Sequence, residues 1–163
     1  MRHQADDRAV SHGLRSDRHE SIYCVLTGEQ RFTLLPPSDI AFLGEANFPS
    51  ARHHFDDLSG EWSVDLDPAA RGEMATASAI QLDPTDVVGA RRGHGAFASA
   101  SPVTVTVLAE QMLYIPALWY HTAVSAKPGD GVSIAVNYRY ESTDGPSLAC
   151  HRLARALAGL ESE

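Results

Sequence analysis

Residues 112–140, MLYIPALWYHTAVSAKPGDGVSIAVNYRY, constrain the fold of this chain more than any other stretch. Two apolar runs, Met112–Ile115 and residues 133–140, are rich in Val, Ile and Tyr, which suit a pleated surface better than a helix. Pro128, Gly129, Asp130 and Gly131 interrupt them, and no helix continues through such a break. The pair reads as strands joined by a loop running from Lys127 to Gly131. Between the runs lie Pro116, Ala117, Leu118, Trp119, Tyr120 and His121. His121 puts an imidazole where the pattern asks for another core residue. It is either a buried histidine satisfied by a backbone carbonyl or a group kept for its chemistry.

Composition narrows what surrounds this stretch. A chain of 163 residues suits one domain with a core large enough to need no metal or disulfide staple. Thirteen Lys and Arg against twenty-one Asp and Glu give a net charge of -8, which argues against nucleic acid or an anionic membrane as the main partner. Cys24 and Cys150 lie far apart and imply no disulfide framework. No run approaches eighteen apolar residues, and the first seven residues contain no apolar signal core, so a cytoplasmic protein is expected.

Along the chain, residues 1–13 form a polar lead-in in which His3 and His12 are solvated, residues 14–146 a β-domain, and residues 147–163 a helical end. Residues 22–26 (IYCVL) and 31–35 (RFTLL) are β-prone and separated by Thr27, Gly28, Glu29 and Gln30, a hairpin signal; Pro36 and Pro37 end the second run. Glu61–Leu66 alternates as an exposed strand does, and Val103–Leu108 is the clearest strand in the chain. His53, His54, Asp56 and Asp57 crowd together without metal-ligand spacing and read as a solvated turn. Residues 69–79 read as a loop or one helical turn, and residues 89–95 (GARRGHG) as a mobile, solvent-exposed loop, with contact between its arginines or His94 and a substrate as the alternative. After a Ser-Thr-Asp-Gly-Pro break, Ala149, Leu153, Ala156, Leu157 and Leu160 recur at helical spacing, with Arg152 and Arg155 off that stripe. The stripe either caps the barrel or pairs with a second copy.

The run from Leu113 to His121, followed by Ile134, Ala135, Val136, Asn137 and Tyr138, resembles the second half of a Jumonji-C (JmjC) domain, in particular the small cupin-like JmjC hydroxylases. The resemblance extends from about Leu14 to Leu160, with a poorly matching middle. It implies a mainly β fold, an incomplete or modified double-stranded β-helix of the cupin/JmjC jelly-roll type with a C-terminal helix. It also implies an oxygenase that depends on Fe(II) and 2-oxoglutarate and hydroxylates a protein or peptide side chain. In the family the histidine after Pro-x-x-Trp-aromatic is the distal iron ligand, which here is His121, and the Asn of the Ala-Val-Asn strand, here Asn137, lies near the cosubstrate. Tyr23 matches a position whose hydroxyl helps bind 2-oxoglutarate; a core tyrosine is the alternative. Related hydroxylases dimerise through C-terminal helices, so a homodimer is a further expectation.

The match breaks at residues that carry the chemistry. The family's first two ligands are a His-x-Asp pair, imidazole and carboxylate on alternate strand positions. The corresponding residues here are Arg15, Ser16 and Asp17. Asp17 is kept, but a guanidinium has no lone pair and ligates no metal. Arg15 is expected to pair with Asp17 instead, and His12 and His19 are candidate substitute ligands. The Gly-x-Lys that holds the far carboxylate of 2-oxoglutarate is Gly28, Glu29, Gln30, an amide in place of an ammonium, and Arg31 should face the other side of the strand. The family also has strands upstream of its metal motif, whereas sixteen residues precede Asp17, so a barrel with fewer strands, a borrowed edge or an open edge is expected. Three functions follow: a working but impaired oxygenase with Asp17 and His121 on the metal and Tyr23, Gln30 and Asn137 along the cosubstrate; a non-catalytic JmjC-like binding or oligomerisation module; or a cupin that binds another metal or small ligand.

Overall fold

The computed structural model of the protein describes residues 13–66, 74–78, 80, 82, 86–126, 133–141 and 145–160. The lead-in with His3 and His12, the 127–131 turn and most of the break before the C-terminal helix lie outside them.

The β-prone runs form two antiparallel sheets. In the first, β1 (Arg15–Ser16), β10 (Tyr120–Ala126), β3 (Glu29–Leu35) and β8 (Val103–Leu108) lie side by side in that order. In the second, β2 (His19–Thr27) is central, with β11 (Ile134–Glu141) and β9 (Met112–Ile115) on its flanks. Alternation along each strand sends one set of side chains inward. Val25 and Ile115 from the second sheet meet Phe32, Leu34 and Val107 from the first, and all five are buried. A second cluster below them joins Leu14, Leu35, Ile40, Leu43, Phe97 and Tyr120, largely through the 3-10 turns Pro37–Phe42 and Ala96–Ser99. The domain is mainly β, a cupin-like jelly roll with a C-terminal helix. Four strands face three among the described residues, one short of the eight of a full jelly roll.

The expected hairpin between residues 22–26 and 31–35 does not form. β2 and β3 sit in different sheets, and Gly28 carries the chain from one to the other. Its φ is 75°, and a Cβ there would stand 2.9 Å from the Ser133 Cα, so the corner requires glycine. A hairpin and a corner between sheets need the same reversal of the chain, and a local turn signal cannot separate them.

Two ribbons extend from the jelly roll: β4 (Glu45–Pro49) pairs with β7 (Met74–Ser78), and β5 (Ala51–Asp56) with β6 (Glu61–Leu66). β6 is the exposed strand expected. His53 and His54 lie on β5 instead of in a turn, since the β6 backbone gives β5 a ladder partner despite its polar side chains. The turn itself is residues 57–60, fastened by Asp56, which accepts the Leu58 N–H and the Ser59 hydroxyl, each at 2.9 Å. β7 replaces the loop or helical turn expected over residues 69–79, of which 74–78 are described as strand. The loop expected over 89–95 begins as helix α1 (Val87–Gly93), because the Asp86 side chain caps it by accepting the Gly89 N–H at 2.8 Å.

The C-terminal helix α2 (Pro146–Leu157) opens on a proline at its first turn, as expected. Its packed face shares only Leu160 with the expected stripe. Ala154, Ala158 and Leu160 press on the lower core, while Leu153 and Leu157 are 60% and 81% exposed. The helix lies against the 37–42 turn, and Leu153 and Leu157 point away from it. No described helix is long and apolar enough to cross a membrane.

Candidate active site

Strand β10 carries His121 into the barrel, where it is 5% exposed. Its Nδ1 lies 3.2 Å from the Trp119 carbonyl oxygen, so Nδ1–H donates there and Nε2 is left with its lone pair. Asp17 follows β1 directly. The turn between β9 and β10 holds its backbone, with the Leu118 N–H donating to the Asp17 carbonyl at 2.7 Å. Leu118 accepts a left-handed φ of 69° to do so, a strained conformation for a side chain of that kind. The Asp17 Oδ2 then stands 3.9 Å from His121 Nε2, and both atoms are buried with no hydrogen-bond partner. Burial pushes the His121 pKa below the usual histidine value. The Trp119 carbonyl and Asp17 act against that shift, and Arg15 and Arg139 add to it.

Arg15 is the register partner of His121 across β1 and β10. Directly opposed residues of an antiparallel pair project to the same side, so the guanidinium and the imidazole share one face. The expected Arg15–Asp17 ion pair is not formed among the described residues: the carboxylate approaches His121, and the buried Arg15 Nε has no partner.

The side chains expected along the cosubstrate come together. Tyr23 on β2 is the register partner of Asn137 on β11, and Gln30 on β3 lies opposite Ser125 on β10. With Arg15, His121 and Ser125 they line one cavity of ≈ 280 Å³ between the two sheets. The Tyr23 ring meets Phe32 edge-on at 5.2 Å and His121 at 6.4 Å, so it is both a core tyrosine and part of the cavity wall. Asn137 Oδ1 is buried without a partner. Arg31 is not among the lining residues, in keeping with its alternation. Of the candidate substitute ligands, His19 is exposed at the start of β2, opposite Glu141, and lies outside the cavity lining; His12 is outside the described residues. His94 is exposed just past α1, and Arg91 donates to the Ala100 carbonyl at 2.8 Å, so that segment is tied to the fold.

A second cavity, of ≈ 370 Å³, opens on the far side of Asp17, with Arg18, Glu45, His151 and Arg155 in its wall. The Tyr120 hydroxyl donates to Glu45 Oε1 at 2.7 Å, and Arg155 pairs with Glu45 Oε2. His151 is buried, its Nδ1 has no partner, and its pKa is pushed down by burial and then by Arg155 and Arg18, against Glu45. The sequence gives no sign of this group, because Glu45, Tyr120 and Arg155 are remote from one another along the chain.

Two buried, unpartnered donors 3.9 Å apart could share a divalent cation. A three-ligand iron site needs one more, and the position beside them holds a permanent cation with no lone pair. No group of three or more His, Cys, Asp or Glu among the described residues is placed to hold a metal. The residues present therefore do not fit a complete iron centre.

Comparison with known proteins agrees with the geometry. The family described as Cupin-like domain matches residues 6–145. JmjC domain-containing protein E of Dictyostelium discoideum is 33% identical over 151 residues, covering 85% of this chain and 41% of that protein. Lysine-specific demethylase JMJ32 of Arabidopsis thaliana is 31% identical over 138 residues, 83% of this chain and 39% of the relative. The human protein named bifunctional peptidase and (3S)-lysyl hydroxylase JMJD7 is 33% identical over 135 residues, again 83% and 39%. The chain spans about two-fifths of the length of these relatives. With a jelly roll, a histidine and a carboxylate facing each other within it, and a match over most of its residues, this chain belongs to the cupin-like JmjC domain family.

Proposed function

We propose that the chain is a JmjC hydroxylase-type domain acting on a protein side chain, whose use of Fe(II) and 2-oxoglutarate is impaired because its metal site is one ligand short. The observation that carries this reading is the pairing of Arg15 with His121. Asp17 and His121 remain as donors, and Tyr23, Gln30 and Asn137 remain as the wall of the cosubstrate cavity. Gln30 can donate a hydrogen bond to a carboxylate, but a neutral amide forgoes the charge-assisted bond of a lysine, about 1–2 kcal/mol. The names of two relatives, a lysine-specific demethylase and a lysyl hydroxylase, support a protein side chain as the substrate class. Succinate formation from 2-oxoglutarate, measured with Fe(II) and a panel of peptides, tests the reading. Wild-type protein should stay near background, and Arg15→His combined with Gln30→Lys should raise turnover. Robust turnover by the wild type would overturn it.

A further inference from the structure

Helix α2 turns a polar face toward the ≈ 370 Å³ cavity beside Asp17, on the side opposite Leu153 and Leu157. Leu148, His151, Arg152 and Arg155 line that cavity at spacings of three and four, so they share one side of the helix. Arg18, from the link between β1 and β2, lines it with them. Two carboxylates stand in the wall, and both are engaged elsewhere: Glu45 by Arg155 and Tyr120, and Asp17 by its approach to His121. Among the described residues, Arg18 and Arg152 are left without a carboxylate partner. His151 adds an unmet hydrogen-bonding group. It is 8% exposed, its Nδ1 is buried without a partner, and Arg18 and Arg155 lie close enough to act on its ionisation. Buried polar atoms are normally satisfied, and a group that completes this one has to enter the cavity. Two guanidiniums in excess match a ligand of charge about −2, that of a phosphoryl group near neutral pH. The volume lies in the range of small-molecule sites, ~300–1,000 Å³, and Leu118 and Leu148 give carbon atoms an apolar wall.

We propose that this cavity is a binding site for a small phosphate-bearing molecule, whose phosphoryl oxygens accept hydrogen bonds from Arg18, Arg152 and His151. Arg155 keeps its place on Glu45 and so holds the helix face over the cavity. The site shares no lining residue with the cavity between the sheets, and it stands or falls apart from the oxygenase reading. A phosphate ion and a phosphomonoester offer the same recognising group, and they differ in the carbon atoms that would meet Leu118 and Leu148.

The test is isothermal titration calorimetry of the full chain at pH 7.5 in EDTA, with inorganic phosphate and glycerol 3-phosphate as probes. Sodium chloride holds the ionic strength constant, and acetate is the monoanion control. At least one probe should bind saturably, and acetate should bind at least about tenfold more weakly. Tighter binding of glycerol 3-phosphate assigns the site to a phosphomonoester, and equal binding assigns it to the phosphoryl group alone. Arg18→Gln and Arg152→Gln should each weaken the probe at least about tenfold while keeping the wild-type circular dichroism. Both arginines are exposed, so their replacement spares the core; should one variant fail to fold, the other decides. No saturable binding of either probe, equal binding of acetate, or undiminished binding by a folded variant would each overturn the proposal.

Discussion

Arg15 and His121 face each other across the β1–β10 ladder, so a guanidinium shares the sheet face of an imidazole whose Nε2 has no hydrogen-bond partner. The Leu118 N–H holds the Asp17 backbone beside it, and the Trp119 carbonyl fixes the His121 tautomer.

The Glu45 carboxylate ties three elements together, accepting from Tyr120 on β10 and from Arg155 on α2 while sitting on β4. Its side chain is 4% exposed, so removing it strands a buried hydroxyl and leaves Arg155 without its counter-charge. Glu45→Ala should cost about 3 kcal/mol, lowering the thermal midpoint by roughly 6–12 °C. Tyr120→Phe removes only one bond of the set and should cost about 1 kcal/mol. Equal losses in the two variants would contradict this arrangement.

His121 and His151 both have pKa values pushed down, chiefly by burial. Each binds fewer protons folded than unfolded, so the stability it contributes is complete above the unfolded value of about 6.5 and is lost as the pH falls from there toward the folded value. Each adds at most about 1.4 kcal/mol per pH unit to the slope in that window. Urea unfolding at pH values from 8 down to 5.5 should show the decline, and His151→Gln should make it shallower. An unchanged slope in that variant would remove His151 from the account.

Much of the site was legible in the sequence because short motifs fix it locally. Pro116 to His121 is a turn entering a strand, and it delivers His121 as the motif requires; Tyr23, Gln30 and Asn137 then converge through strand pairing. What escaped was non-local. Gly28 signals a reversal but not which sheet receives the chain. The leucine spacing in α2 signals an amphipathic helix, yet Ala154, Ala158 and Leu160 pack on the core while Leu153 and Leu157 stay exposed. Helix α1 depends on a single cap from Asp86 in a glycine-flanked segment that has little helical character of its own. Glu45 and His151 carry no motif at all.

Leu153 and Leu157 lie outside the fold's own packing, which leaves the expected homodimer as a proposal for that face. Leu153→Lys with Leu157→Lys should move a dimer to monomer in sedimentation, with the monomer's stability changed by no more than about 0.5 kcal/mol. Wild-type protein that sediments as a monomer over a wide concentration range would rule the dimer out.

Anaerobic titration of Fe(II) into the protein with 2-oxoglutarate present, read by the charge-transfer absorption of an iron–oxoglutarate chelate, tests the role of Arg15 most directly. Wild-type protein should give little or no band, Arg15→His should give one, and Arg15→His combined with His121→Ala should lose it again. A saturating band in the wild type, or none in folded Arg15→His, would contradict the claim that Arg15 is what leaves the metal site one ligand short.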